Sequence, residues 1–189
     1  MMDMRKIRDL ILLLILLVII GCSKPIQKSD SMNIANINEV SQMLRISSTA
    51  FEHNGNIPKK YTCQGDDVNP PLRIEGIPSG AKSLVLIADD PDAPRGDWVH
   101  WVVWNISPET RIIEEDSVPS GAIQGMNDFS KTDYGGPCPP SGTHRYFFKV
   151  FALDNVLNLP SSSRKPDILR AIQGHVIDKG ELVGMYRKS

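Results

Sequence analysis

The sequence is short of cysteine, of aromatic residues and of charge of any one sign. Only 3 cysteines occur in 189 residues, too few for a disulfide-dense scaffold or a multi-cysteine metal centre. Lys and Arg number 21 against 22 Asp and Glu, and no basic run interleaves with aromatics. A nucleic-acid partner therefore has no electrostatic footprint and is not expected. The longest aliphatic run, Leu10 to Ile20, is eleven residues. As a helix it spans about half of a roughly 30 Å bilayer core, so a permanent membrane helix is not expected. Also missing are a His-Glu-x-x-His helix and a Gly-x-Ser-x-Gly elbow, two common routes to hydrolysis.

What is present begins with an export signal. Arg5, Lys6 and Arg8 precede the apolar run, and Ile19-Ile20-Gly21-Cys22 follows it. That order describes a secretory signal over residues 1–21. Its end resembles a bacterial lipobox, where the thiol of the first mature residue, Cys22, carries a diacylglycerol. An uncleaved anchor, or a plain signal with an incidental cysteine, is the alternative. Residues 22–44 are polar and aperiodic and read as a flexible tether, leaving 45–189 as one folded domain. The protein is thus expected in the cell envelope, exported and lipid-anchored to the membrane. With Cys22 so used, Cys63 and Cys138 remain, and an oxidising compartment suggests a disulfide between them. Two free, half-buried thiols are the other reading, because sequence alone does not bring their Cα atoms within reach.

The domain reads as predominantly β. Ser83 to Ala88 and Val99 to Ile106 are short continuous apolar runs that suit strands buried on both faces. His144 to Leu153 alternates, with His144, Tyr146, Phe148 and Val150 on one face and Arg145, Phe147, Lys149 and Phe151 on the other. Residues 116–140, rich in Gly, Pro, Ser and Asp, read as a long loop over one end of the sheet. One helix is expected over Asp167 to Asp178, with an apolar stripe of Ile168, Leu169, Ile172 and Val176. A last short strand follows at Leu182 to Tyr186.

Two segments depart from ordinary strand sequence. Asp89-Asp90-Pro91-Asp92-Ala93-Pro94 leads to Trp98-Val99-His100-Trp101, and Gly135-Gly136-Pro137-Cys138-Pro139-Pro140 leads to Gly142-Thr143-His144-Arg145-Tyr146. Prolines fix φ around the carboxylates, and glycines let backbone approach a ligand. Asp90 is expected to accept from one ring nitrogen of a histidine, leaving the other for a ligand. His100 and His144 would then offer N–H groups to a compact anion, helped by Tyr146 and glycine amides. Asp92 suits a turn-capping role. An enzyme using Asp90, His100 and His144, as a hydrolase or with a metal, is the competing reading.

These two segments resemble the signature regions of the phosphatidylethanolamine-binding protein family, also called the Raf kinase inhibitor protein family. The likeness is to its short bacterial and archaeal branch, which is similar also in Asn69-Pro70-Pro71-Leu72, Gly174-His175 and Leu182-Val183-Gly184. The resemblance implies a Greek-key antiparallel β-sandwich with one or two peripheral helices. It implies a small anion site for phosphate or a phosphorylated small molecule, lined by Asp90, Trp98, His100, Gly136, His144 and Tyr146. No cofactor, metal or catalytic residue is implied. A partner protein, regulated or inhibited as a kinase or protease inhibitor would do, is the further expectation.

Overall fold

The computed structural model describes residues 43–188. The signal segment, Cys22 and the tether up to residue 42 lie outside the described residues. Among the described residues nine strands and one short α-helix follow in order: β1 (Arg45–Ser48), β2 (Gly55–Asn56), β3 (Leu72–Glu75), β4 (Ser83–Asp90), β5 (Trp98–Ile106), β6 (Ile112–Ile113), β7 (Ile123–Gln124), β8 (Thr143–Leu153), α1 (Lys165–Ala171) and β9 (Val176–Arg187), with a single 3-10 turn at Lys59–Tyr61 between β2 and β3. They form a three-stranded sheet, β1-β3-β6, and a six-stranded sheet, β2-β9-β8-β4-β5-β7.

The apolar patterns explain the layering. Between the sheets lies one core, where Ile46, Leu72, Ile74 and Ile113 of the small sheet meet Leu84, Leu86, Trp101, Val103, Phe148 and Leu182 of the large one. On the large sheet's other face lies a second core of Val85, Ile87, Val102, Trp104 and Leu153, covered by Ile168 and Ile172. β4 runs through the middle with all of its residues buried, as its unbroken apolar sequence requires of a strand covered on both faces. Trp101 and Trp104 fall on opposite faces, one in each core. Leu44 is already packed in the first core, and its N–H donates to Asp178 Oδ2 at 2.8 Å, so ordered packing includes the residue before Arg45.

Two expectations about elements are corrected: where the helix ends, and the last strand, expected to be short at Leu182 to Tyr186, which is twelve residues long. The helix ends at Ala171, with Ile172 as its cap; Gly174 takes φ +80°, and β9 begins at Val176. The cause is non-local: β8 needs a long partner, and β9 pairs with it from Thr143↔Arg187 to Leu153↔Val176. Leu169 and Val176, expected on the helix's apolar stripe, are exposed; only Ile168 and Ile172 of that stripe are buried. Pairing is also not wholly antiparallel, since β2 runs parallel to β9 with Gly55 opposite Gly184. A Cβ on Gly184 would meet the Ile57 side chain at 2.5 Å, so this crossing requires glycine.

Candidate functional site

β4 finishes where β5 and β8 start, at one end of the large sheet's inner strands, and these strand ends carry the ionisable residues singled out above. Asp90 is opposite Trp98 in the β4–β5 ladder, and the β4–β8 ladder runs up to Asp89↔Phe147, so Tyr146 arrives beside Asp90. His100 reaches the same place by an irregularity. Asp89 pairs with Val99 but Ala88 pairs with Trp101, which leaves His100 as the extra residue of a β-bulge. Strict alternation with Val102 and Trp104 would turn His100 toward the helix-side core. The bulge re-aims it to the other face, where its ring stands edge-on to that of Tyr146, 5.2 Å between centroids.

The cluster is buried and tightly bonded. His144 Nδ1 donates to Asp90 Oδ2 at 2.7 Å, while Asp90 Oδ1 accepts the Asp92 N–H at 2.9 Å. Asp92 in turn accepts from the Arg145 backbone N–H, Nε and Nη2 at 3.0, 2.9 and 2.7 Å. Asp90 and Asp92, on either side of Pro91, therefore grip the adjacent β8 residues His144 and Arg145. The hydrogen bond from the Arg145 side chain, against a smaller burial effect, holds the Asp92 carboxyl at about 2. His100 Nδ1 sits 2.5 Å from the Gly135 carbonyl oxygen. A carbonyl only accepts, so Nδ1 carries the proton and Nε2 of neutral His100 presents a lone pair. Burial pushes the His100 pKa down, outweighing the opposing pull of Gly135 and of Asp90, Asp89 and Asp67, so the ring stays neutral around pH 7.

Tyr146 is 3% exposed, and its hydroxyl has no hydrogen-bond partner of normal geometry. It lies near the Asp90 carboxyl and the Cys138 backbone; burial first, then Asp90, push its pKa well above the ordinary phenol range. It is therefore a permanent O–H donor without a well-formed acceptor. Buried polar groups are nearly always paired, so one left over marks a place for a ligand group.

Trp98, only partly buried, forms the outer side of the cluster with a residue the sequence reading missed. Phe129 is edge-on to Trp98 and to His100, at 5.5 and 5.3 Å. Asn127, fully buried, places it: its Oδ1 accepts from the Phe129 and Lys131 N–H groups at 3.0 Å each, and its Nδ2 donates to the Asp133 carbonyl at 2.8 Å. An Asn amid a polar loop carries no periodic signal that would have exposed this role.

Gly136 differs from expectation. Its N–H donates to Asp67 Oδ1 at 2.7 Å and that of Gly135 to the His100 carbonyl at 3.1 Å. Both of these amides are engaged internally, so neither glycine offers a backbone donor to a ligand. The histidine Nδ1–H groups are likewise engaged, and the ring nitrogens left over are the two Nε2 atoms. Cys63 and Cys138 are bonded, their Cα atoms 5.5 Å apart. Among the described residues no three His, Cys, Asp or Glu side chains group as metal ligands. Size alone does not select the site: a hollow of about 400 Å³ opens beside Lys149, Phe151 and Lys179, on the face of β8 opposite Tyr146.

Residues 47–187 match the model of the family described as phosphatidylethanolamine-binding protein. The chain belongs to the phosphatidylethanolamine-binding protein family. Within it, a UPF0098 protein of Methanothermobacter thermautotrophicus is 47% identical over 150 residues, covering 77% of this chain and 99% of that one. UPF0098 protein PH1269 of Pyrococcus horikoshii is 50% identical over 158 residues, covering 79% of each. Among solved structures, the phosphatidylethanolamine-binding protein homologue CT736 of Chlamydia trachomatis superposes with TM-score 0.76 at 42% identity, covering 79% of this chain and 100% of that one. YbcL of E. coli, described as a member of the mammalian PEBP family, gives 0.73 at 30% identity, covering 77% and 99%. The short prokaryotic branch of the family and its mainly β sandwich are thereby established for this chain.

Proposed function

We propose that this family member is a non-enzymatic binding module whose cluster of Asp90, His100, His144 and Tyr146 accepts phosphate or a compact phosphorylated ligand. The observation that carries the reading is the buried Tyr146 hydroxyl, which has no hydrogen-bond partner of normal geometry and lies by Asp90, on a ring edge-on to that of His100. Membership in a family named for binding phosphatidylethanolamine supports a binding role. The donor set refines the ligand. Tyr146 gives one hydrogen bond, but neutral His100 offers a lone pair, which repels a bare oxyanion and welcomes an O–H. A phosphate monoanion supplies both, accepting from Tyr146 and donating to His100 Nε2.

Affinity then falls as pH rises through the ligand's second ionisation, about 6 for a phosphomonoester, because the dianion has lost the proton that His100 accepts. Titrating inorganic phosphate into the full-length protein at pH 5.5 and pH 8, read by NMR of the His100 and His144 rings, tests this. Shifts on both rings that weaken at the higher pH support it. Shifts that appear only with zinc would sink it in favour of a metal-dependent hydrolase. The same reading places the module in the cell envelope, tethered by residues 22–44 from a lipid on Cys22, with a regulated partner protein; mass spectrometry finding Cys22 unmodified, or cleavage elsewhere, rejects the anchor.

A further inference from the structure

The loop beside the cluster has few hydrogen bonds of its own to hold it. In residues 135–140, Gly-Gly-Pro-Cys-Pro-Pro, three of the six positions lack an N–H to give, because proline has none. Its grip comes instead from Tyr61–Asp67, far away in the chain. Gly136 donates to Asp67 Oδ1 at 2.7 Å, the Cys63 N–H donates to the Pro137 carbonyl at 3.2 Å, and Cys63 is bonded to Cys138. Three consecutive loop residues are thus held by one segment. The approach is close: a Cβ on Gly136 would meet the Tyr61 carbonyl oxygen at 2.6 Å.

The same loop touches the cluster at both of its ends. The Gly135 carbonyl fixes the His100 tautomer, and the Cys138 backbone lies against the Tyr146 hydroxyl. The strands that carry Asp90, His100, His144 and Tyr146 are held independently, by sheet ladders and two apolar cores. The cystine is also placed to react. Cys63 is exposed and Cys138 less so, and Lys188 Nζ lies 3.9 Å from Cys138 Sγ. A cation there stabilises a thiolate and makes Cys138 the better leaving group.

We propose that the Cys63–Cys138 disulfide is a redox latch on the ligand site, holding the 135–138 loop against His100 and Tyr146 when oxidised and releasing it when reduced by a dithiol. The inference rests on reading the cluster as an anion site. A thiolate of the dithiol attacks Cys63 Sγ, the S–S bond breaks, and Cys138 leaves as a thiolate beside Lys188. The second thiol of the reductant, as thiolate, then attacks the reductant's own sulfur in the mixed disulfide, the bond to Cys63 Sγ breaks, and Cys63 leaves as a thiolate that takes a proton from water. The reductant closes into its own cyclic disulfide, and two electrons and two protons reside on Cys63 and Cys138. What remains to hold the loop is a few hydrogen bonds of ordinary strength.

The test uses the full chain, with dithiothreitol as reductant and inorganic phosphate as probe. Reduction weakens phosphate binding roughly tenfold, the equivalent of one or two ordinary hydrogen bonds. The indole signals of Trp101 and Trp104, one in each core, stay as they were, and reoxidation restores affinity. A Cys63→Ser, Cys138→Ser double variant matches the reduced protein without reductant, and Lys188→Ala slows reduction without changing phosphate affinity in the oxidised form. Unchanged affinity with both thiols shown to be free overturns the latch. Loss of the indole signals on reduction overturns it as well, making the bond a staple of the whole fold. Absence of phosphate shifts even in the oxidised protein refutes the anion site itself, and the latch with it.

Discussion

Asp89 and Asp90 are neighbours on β4, both buried, yet the sheet gives them opposite lives. Asp89 points to the helix side, where Lys149 Nζ donates to both of its oxygens at 2.7 and 2.8 Å and Lys165 Nζ, from α1, donates at 2.5 Å. Lys165 also pairs with Asp97. Asp90 points to the other face and meets an imidazole and a backbone amide, with a phenol alongside. One carboxyl is saturated by two ammonium groups and ties helix to sheet. The other sits among groups that a ligand can still engage. Identical residues one position apart thus separate into scaffold and site because successive strand residues face opposite ways.

The comparison breaks most visibly at Asp89. Asp89→Asn leaves Lys165 mostly buried beside a neutral amide, and breaking a buried pair in this way costs about 3–5 kcal/mol. A urea melt should show that loss, while phosphate still shifts His100 and His144 in the folded fraction. Asp90→Asn should cost less stability, about 1–2 kcal/mol, but weaken phosphate binding at least roughly tenfold as His144 loses its orienting acceptor. Equal stability losses in the two variants would erase the distinction. Tyr146→Phe sharpens it further. Removing an unsatisfied buried hydroxyl leaves stability unchanged or raises it by up to about 1 kcal/mol, yet phosphate binding falls by about the same tenfold. A destabilised Tyr146→Phe protein would mean that the hydroxyl is already bonded within the fold.

The smallest effects lie in pH dependence. Burial lowers the His100 pKa, so the unfolded chain binds a proton near pH 6.5 that the folded protein refuses. Stability is therefore full above that pH and declines as pH falls below it; His100→Gln should flatten that part of a stability-versus-pH curve. Asp92, held at about 2 by Arg145, works further down. Its contribution is complete above the ordinary carboxylate range and is lost as pH drops from about 4 toward 2. Arg145→Gln should remove that acid limb, as followed by circular dichroism.

Much of this was legible from residue order. The face alternation of His144 to Val150, the doubly buried β4 and the split of Trp101 from Trp104 all follow from apolar periodicity, which is local. Asp90, His100, His144 and Tyr146 were recognisable because Pro- and Gly-rich junctions at two strand ends departed from strand chemistry. Phe129 and Asn127 were not, since a polar loop has no period. The helix was read too long because Val176 continued its spacing, whereas ladder bonds to Leu153 claimed that residue for a strand.

By itself, the order of residues determined the two apolar cores, the strand faces and the pair of junctions that bear ionisable groups, because hydrophobic burial depends on spacing within a few residues. Tertiary structure alone decided that a bulge turns His100 toward Tyr146, that the Gly135 carbonyl makes its Nε2 an acceptor, and that the Gly136 amide serves Asp67 instead of a ligand. Those outcomes depend on which hydrogen-bonding group, tens of residues away, arrives at bonding distance, and a directional bond of a few ångströms leaves no trace in local pattern.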